Sequence, residues 1–235
     1  MLAAAVLGLF AGAAVWVIGL VQAERRPSFG PGTRASWMAL LPVLIQMALV
    51  RQPTSAPPAA EHRGVRLLFE LAVAAYAGVA AHNFGASLDF VASFIFALPL
   101  LTILLVDWWT RYIHTSVVAA GVLAGLAFAL ARGLPALANS VLAALAASAI
   151  FGLGYLLAGI LFGQGDDDET PFGLGDVYLA GMIGAMAGFP RVVPALFGGV
   201  FLAAVVGLLL LLTRRRDRTD TIAYGPYLCL GALFV

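Results

Sequence analysis

Two aspartates are the residues of this chain whose surroundings invite chemistry. Asp107 follows the apolar run Phe90–Val106 directly and precedes Trp108-Trp109-Thr110-Arg111. Asp176 closes Phe172-Gly173-Leu174-Gly175-Asp176 and opens the run Val177–Phe189. An ionisable group bordering so much apolar sequence is costly to bury in lipid and points to function by default, although a charge at a helix end can snorkel to the interface. For Asp176 the plain structural alternative is a helix N-cap, a position that Asp favours. As a pair the two say more. Two carboxylates in a low-dielectric site do not both ionise easily, and sharing one proton makes one a base and the other an acid. That is aspartic-peptidase chemistry, with Asp107 and Asp176 as the catalytic candidates. Gly173 and Gly175 leave the backbone bare beside Asp176, so a substrate strand could approach it closely.

The elements that must position this pair are apolar throughout. Of 235 residues, 62% are hydrophobic and 11% charged, and the mean hydropathy is +0.99, far above an ordinary soluble domain. Apolar runs bounded by charge, Pro or Gly fall at 2–22, 67–83, 88–106, 113–131, 135–162, 174–189, 193–212 and 222–235. Their lengths suit membrane helices, and the alternation of a barrel strand is absent. The expected fold is therefore all-α, a polytopic membrane helix bundle of about eight transmembrane helices. It forms a single integral membrane domain over 1–235 with a cytoplasmic loop at about 23–66. Within that loop, the apolar piece Trp37–Val50, rimmed by Arg34 and Arg51, suits the interface. The first run is read as a retained helix, because it lacks a basic start and Gln22–Arg26 is a poor cleavage site. A formal net charge of +1 offers no field for nucleic acid, which leaves membrane lipid as the surrounding partner.

All 13 basic residues are arginines. With the N-terminus outside, Arg25, Arg26, Arg34, Arg51, Arg63, Arg66, Arg111, Arg214, Arg215, Arg216 and Arg218 are cytoplasmic and only Arg132 and Arg191 are external, as the positive-inside rule requires. Two runs separate Asp107 from Asp176, so parity places both at the cytoplasmic face. Gly121/Gly125 and Gly184/Gly188 have the spacing of close helix packing.

With these features in hand, the sequence resembles the type IV prepilin leader peptidases, a family of GxGD-type membrane aspartic peptidases, nearly end to end. Gly8-Leu-Phe-Ala-Gly12 with Arg25-Arg26-Pro27 looks like the family's first helix and its exit. Leu41-Pro42-Val43 and Arg66-Leu67-Leu68-Phe69-Glu70-Leu71 resemble its loop and the return into the second span. Val106-Asp107 resembles the first catalytic motif, Phe172–Leu179 with Gly181 the second, and Tyr224-Gly225-Pro226-Tyr227-Leu228 the closing element. The resemblance implies cleavage of the short basic leader of prepilin-like (pseudopilin) precursors at the cytoplasmic face of a prokaryotic inner membrane. Gly173, Gly175 and Tyr178 would meet the substrate. Family members often methylate the new N-terminus with S-adenosylmethionine and carry Cys-x-x-Cys pairs in the first loop. This loop has no cysteine. Tyr178 stands where the family usually has Lys, and Ile113-His114 where it has Ile-Pro.

Other features read plainly. Asp166-Asp167-Asp168-Glu169 suits a solvated loop, His62, His82 and His114 lack metal-ligand spacing, and Gly163-Gln164-Gly165 lacks the Lys-Ser/Thr of a phosphate loop. The competing functions are an ion- or proton-coupled transporter, which also employs membrane carboxylates but commonly shows inverted repeats, and a non-catalytic assembly factor on a peptidase-like fold. Because the only thiol is Cys229 in the last apolar run, no zinc site is expected. Purified protein should hold no stoichiometric zinc by elemental analysis, and one tightly bound zinc per chain would contradict this reading.

Overall fold

A computed structural model of the chain describes residues 2–24, 63–110, 112–162, 173–213 and 224–235. The central part of the first loop with Arg25-Arg26-Pro27, Trp37–Val50 and His62, the Gly163–Phe172 segment with its acidic run, Arg111, and the Arg214–Arg216 run with Arg218 lie outside the described residues.

The eight apolar runs correspond one to one with eight helices among the described residues: α1 Leu2–Glu24, α2 Arg63–Phe84, α3 Leu88–Thr110, α4 Thr115–Ala131, α5 Leu134–Phe162, α6 Leu174–Ala187, α7 Val192–Leu212 and α8 Gly225–Leu233. No strand occurs among them, so the protein is an all-helical membrane bundle. By length and composition, α2, α3, α5 and α7 can each cross a membrane, whereas α4 and α6 are shorter apolar helices. The last run yields less helix than its length suggests, only the nine residues of α8. Prolines mark helix starts: Pro135 and Pro226 fall in first turns, where the missing N–H leaves no helical bond unmade. Pro99 is the exception, inside α3.

Contacts divide the chain into two compact units, Met1–Leu98 and Pro99–Val235, with the boundary inside α3. In the first unit, α1 lies against α2 through small residues. A Cβ at Gly8 would lie 2.6 Å from the Ala74 Cα, and one at Gly12 would lie 3.0 Å from the Glu70 Cα, so the Gly8-x-x-x-Gly12 stripe is what lets the two backbones meet. Trp16 and Phe69 flank this seam with ring centroids 6.0 Å apart. The buried Arg66 Nε donates to Glu70 Oε1 at 2.8 Å, one turn along the same helix.

The second unit is built around α6, whose residues Leu179 through Ala185 are all buried. A helix that is apolar and buried all round needs neighbours on every side. Gly125 admits the Ala185 carbonyl of α6 to within 2.8 Å of where its Cβ would stand, and Gly121 admits the Met182 side chain. From the opposite side, a Cβ at Gly184 would lie 2.6 Å from the Ala143 carbonyl oxygen of α5. Helices α7 and α8 meet similarly at Gly199, 2.7 Å from the Leu228 Cα. The expected packing role thus holds for Gly121, Gly125 and Gly184 but not for Gly188. A Cβ there would meet nothing closer than Asn139 Nδ2 at 3.4 Å, and Gly188 instead ends α6 with φ 64°, a conformation that disfavours any side chain. The following turn is fixed by Asn139 of α5, which donates to the Phe189 carbonyl at 2.8 Å and accepts from the Phe189 N–H at 3.1 Å. That bond ties the α6–α7 connection to the end of the unit where α5 begins.

On the outward faces, Leu142, Leu145, Leu153, Leu156 and Ile160 of α5 and Phe197, Phe201, Leu208 and Leu212 of α7 are exposed, the composition of a surface solvated by lipid. Replacing Gly184 with Ala should lower stability by about 1–3 kcal/mol, the usual cost of overpacking. Gly154→Ala, where nothing lies within 4 Å, should be neutral or stabilising by up to ~1 kcal/mol. Thermal unfolding in detergent compares the two, and equal melting would refute the close packing at α6.

Candidate active site

Asp107 lies near the C-terminal end of α3, in a stretch whose Leu100, Leu101, Thr102, Ile103, Leu105 and Val106 are all buried. Leu100 and Ile103 belong to the same core as Ala143, Ala147, Leu179 and Ile183, so packing carries this half of α3 into the second unit and takes Asp107 with it. The aspartate is only 5% exposed. Four residues, 111–114, lie between α3 and the start of α4, and His114 serves as the α4 N-cap, its carbonyl accepting from Val117 and Val118.

Asp176 is not the N-cap of its helix. Gly173 holds that position, with φ −89° and ψ 147°, and α6 begins at Leu174, which makes Asp176 the third helical residue. From there its Oδ2 accepts the Gly173 N–H at 3.3 Å, while its own N–H donates to the Gly173 carbonyl at 3.0 Å. This is the acidic half of a capping box: the glycine has no side chain to return the bond, so the backbone carbonyl does so. The carboxylate also sits favourably in the first turn with respect to the helix dipole. Asp176 is 8% exposed.

The structure brings the two aspartates into one neighbourhood, and the start of α8 closes it. A Cβ at Gly225 would lie 2.5 Å from Asp107 Oδ2 and 3.2 Å from its Cγ. One turn further along α8, the fully buried Cys229 meets the backbone of Leu104 and lies within electrostatic reach of both Asp107 and Asp176. Gly225 beside Asp107 and Cys229 beside Leu104 describe α8 running antiparallel to the end of α3. The Tyr224 side chain, just before α8, is within electrostatic reach of Asp176.

Of the candidate substrate contacts, Gly173 is exposed. The space beside Gly175 is taken from within the protein by Ile113, whose Cβ lies 3.1 Å from where a Gly175 Cβ would stand. Tyr178 lies two residues beyond Asp176, roughly 200° around the helix. It is 48% exposed and lines a cavity of about 260 Å³ with Val118, Val122, Ala144, Leu145 and Ser148, so the structure gives it to a groove between α4, α5 and α6. In the sequence Ile113 and Gly225 stood out only by their places in the Ile-His and Tyr-Gly-Pro strings, and Cys229 only as the single thiol. Their roles come from three dimensions.

Two buried carboxylates on different helices of one apolar unit are thus what the structure gathers here. Residues 94–208, just under half of the chain, match the model of the type IV leader peptidase family. That match, together with the apolar helices, supports a multi-pass membrane peptidase of the leader-peptidase type. The match takes in Asp107, Ile113, Gly173, Gly175 and Asp176, and stops short of the Gly8–Gly12 and Tyr224–Leu228 elements. No curated protein and no solved structure matches the chain.

Since Asn keeps a side-chain oxygen for the Gly173 N–H and Ala does not, Asp176→Ala should be about 1 kcal/mol less stable than Asp176→Asn. Thermal unfolding of the two variants tests this, and equal stabilities would mean that the cap bond carries no weight.

Proposed function

We propose that this protein is a membrane-embedded aspartic endopeptidase that removes the basic leader from type IV prepilin-like precursors. It would cut at the cytoplasmic face of a prokaryotic inner membrane, just ahead of the precursor's apolar segment. The observation that carries the proposal is the convergence of Asp107 and Asp176, both buried, on one neighbourhood of the compact unit that the family match covers. The charge distribution along the sequence supports the orientation: eleven arginines fall on the side of the aspartates and two on the other.

The chemistry follows from the pair. A water held between the carboxylates loses a proton to the ionised one as its oxygen bonds to the scissile carbonyl carbon, and the protonated one supports the developing oxyanion. Collapse of the tetrahedral intermediate breaks the C–N bond as the amide nitrogen takes a proton from the pair, which returns the dyad to its singly protonated state. Gly173, exposed at the N-terminus of α6 beside Asp176, offers a bare backbone along which an extended substrate can lie. Proteolysis by this route requires no cofactor, and S-adenosylmethionine enters only if methyl transfer to the new N-terminus is retained. The partners are the precursor and the surrounding lipid.

Asp107→Asn and Asp176→Asn should each abolish cleavage of a co-expressed prepilin-like precursor while the protein still accumulates, and the double variant should add little, because groups acting as a unit are non-additive. Asp166–Asp168→Asn serves as the comparison. Cleavage that survives either single change but is lost in the triple variant would transfer the chemistry to the acidic loop and overturn the assignment.

A further inference from the structure

Between the two aspartates stands a residue with no chemistry of its own. The Ile113 Cδ1 lies 3.2 Å from where a Gly225 Cβ would be and 3.3 Å from where a Gly175 Cβ would be, and its Cβ lies 3.1 Å from the latter. Both glycines border an aspartate: Gly225 abuts Asp107 Oδ2, and Gly175 immediately precedes Asp176. We propose that Ile113 is a positioning residue that sets the separation of Asp107 and Asp176, its side chain wedged between Gly225 and Gly175 so that α8, α6 and the end of α3 are held at fixed spacing. The proposal rests on the dyad reading above and extends it to what fixes the dyad's geometry.

The residue types suit a spacer. A methyl at Gly175 would push Ile113 back by a few tenths of an ångström and one at Gly225 would fall on Asp107, so the fit is between one bulky group and two bare backbones. Isoleucine is β-branched and stiff at χ1, so its width is nearly constant, and the short connection Tyr112–His114 leaves it little freedom to retreat. An aspartate spacing that wanders by an ångström matters, because a misplacement of that size costs roughly a hundredfold in rate. The separation also governs proton sharing: mutual repulsion of the carboxylates pushes their two apparent titrations apart, and the singly protonated, active form exists between them. Among the described residues, the titratable groups around Ile113 are Asp107 from α3, Asp176 from α6, Tyr224 and Cys229 from the α8 side, and Tyr112 and His114 on its own connection, whose rings stack edge-on at 5.1 Å.

The test is steady-state cleavage, across pH, of a synthetic precursor peptide with a basic leader, a glycine and an apolar helix of about 20 residues, by the purified full chain in detergent. Ile113→Ala should lower kcat roughly a hundredfold, change KM little, and narrow the plateau of the pH–rate profile as the carboxylates loosen and water enters between them. Ile113→Val, which keeps the Cβ against Gly175, should recover most of the loss. Gly225→Ala, which drives a methyl onto Asp107, should also reduce kcat and alter the plateau. Ile183→Ala, a core cavity two turns along α6 from Asp176, should lower the melting temperature without moving the plateau. Wild-type kcat and plateau in Ile113→Ala, beside an inactive Asp107→Asn, would overturn the spacer and leave the peptidase standing. An active Asp107→Asn would overturn the peptidase reading and the spacer with it. Should Ile113→Ala fail to fold, Ile113→Leu, which moves the side-chain branch off the Cβ that meets Gly175, takes its place: a lowered kcat and narrowed plateau support the spacer, and wild-type values overturn it.

Discussion

A carboxylate carried into an apolar layer is the constraint on which the arrangement of Pro99–Val235 depends. An aspartate costs about 2.5–3.5 kcal/mol at the centre of a membrane helix on insertion scales; the two of this unit stand at helix ends, yet are only 5% and 8% exposed. They are tolerable because backbone surrounds them. The Gly173 N–H reaches Asp176 Oδ2, and the Asp107 carboxylate lies against Gly225 in the first turn of α8, where the dipole and unpaired amides of a helix start favour negative charge. The second needs glycine, since a Cβ at Gly225 would occupy the place of the carboxylate itself.

Depth follows from helix length. The fourteen residues of α6 rise only ~21 Å, against a hydrocarbon layer of ~30 Å. Its C-terminal end is tied through Phe189 to Asn139, near the start of α5, and the 29-residue α5 is long enough to cross. Asp176, in the first turn of α6, therefore lies level with the region of Gly152, short of the end of α5 at Phe162.

How much of this was legible in the sequence depends on whether the signal is local. The eight runs mark the eight helices closely, because hydropathy and Gly/Pro punctuation act over a few residues; 113–131 becomes Thr115–Ala131 and 174–189 becomes Leu174–Ala187. The aspartates were visible as rare charges beside apolar runs. Spacing alone failed where two physical roles share one residue type: Gly184 and Gly188 look alike in the string, yet one admits the Ala143 carbonyl and the other terminates α6 at positive φ. Tyr178 lies in the aspartate motif, and helix phase turns it toward the groove between α4, α5 and α6. Asp176, read as a possible N-cap, proved to be the third residue of its helix, because Gly173 can adopt the cap conformation and the aspartate can reach back to it. Ile113, Gly175 and Gly225 were illegible as a group, since their proximity depends on packing among helices far apart in the chain.

The described residues hold a second buried charged pair, and the contrast between the two bears on function. Arg66 and Glu70 are opposite in sign, lie one turn apart on α2 and neutralise each other at 2.8 Å. Burial then has its compensation within a single helix, and a structural role at the α1–α2 seam accounts for it. Asp107 and Asp176 are alike in sign and come from helices separated by two others. No local rule brings them together; the core of α3, α5 and α6 does, against a desolvation cost for each and a repulsion between them. That costly encounter, unexplained by local pairing, is the physical feature on which the proposed dyad rests.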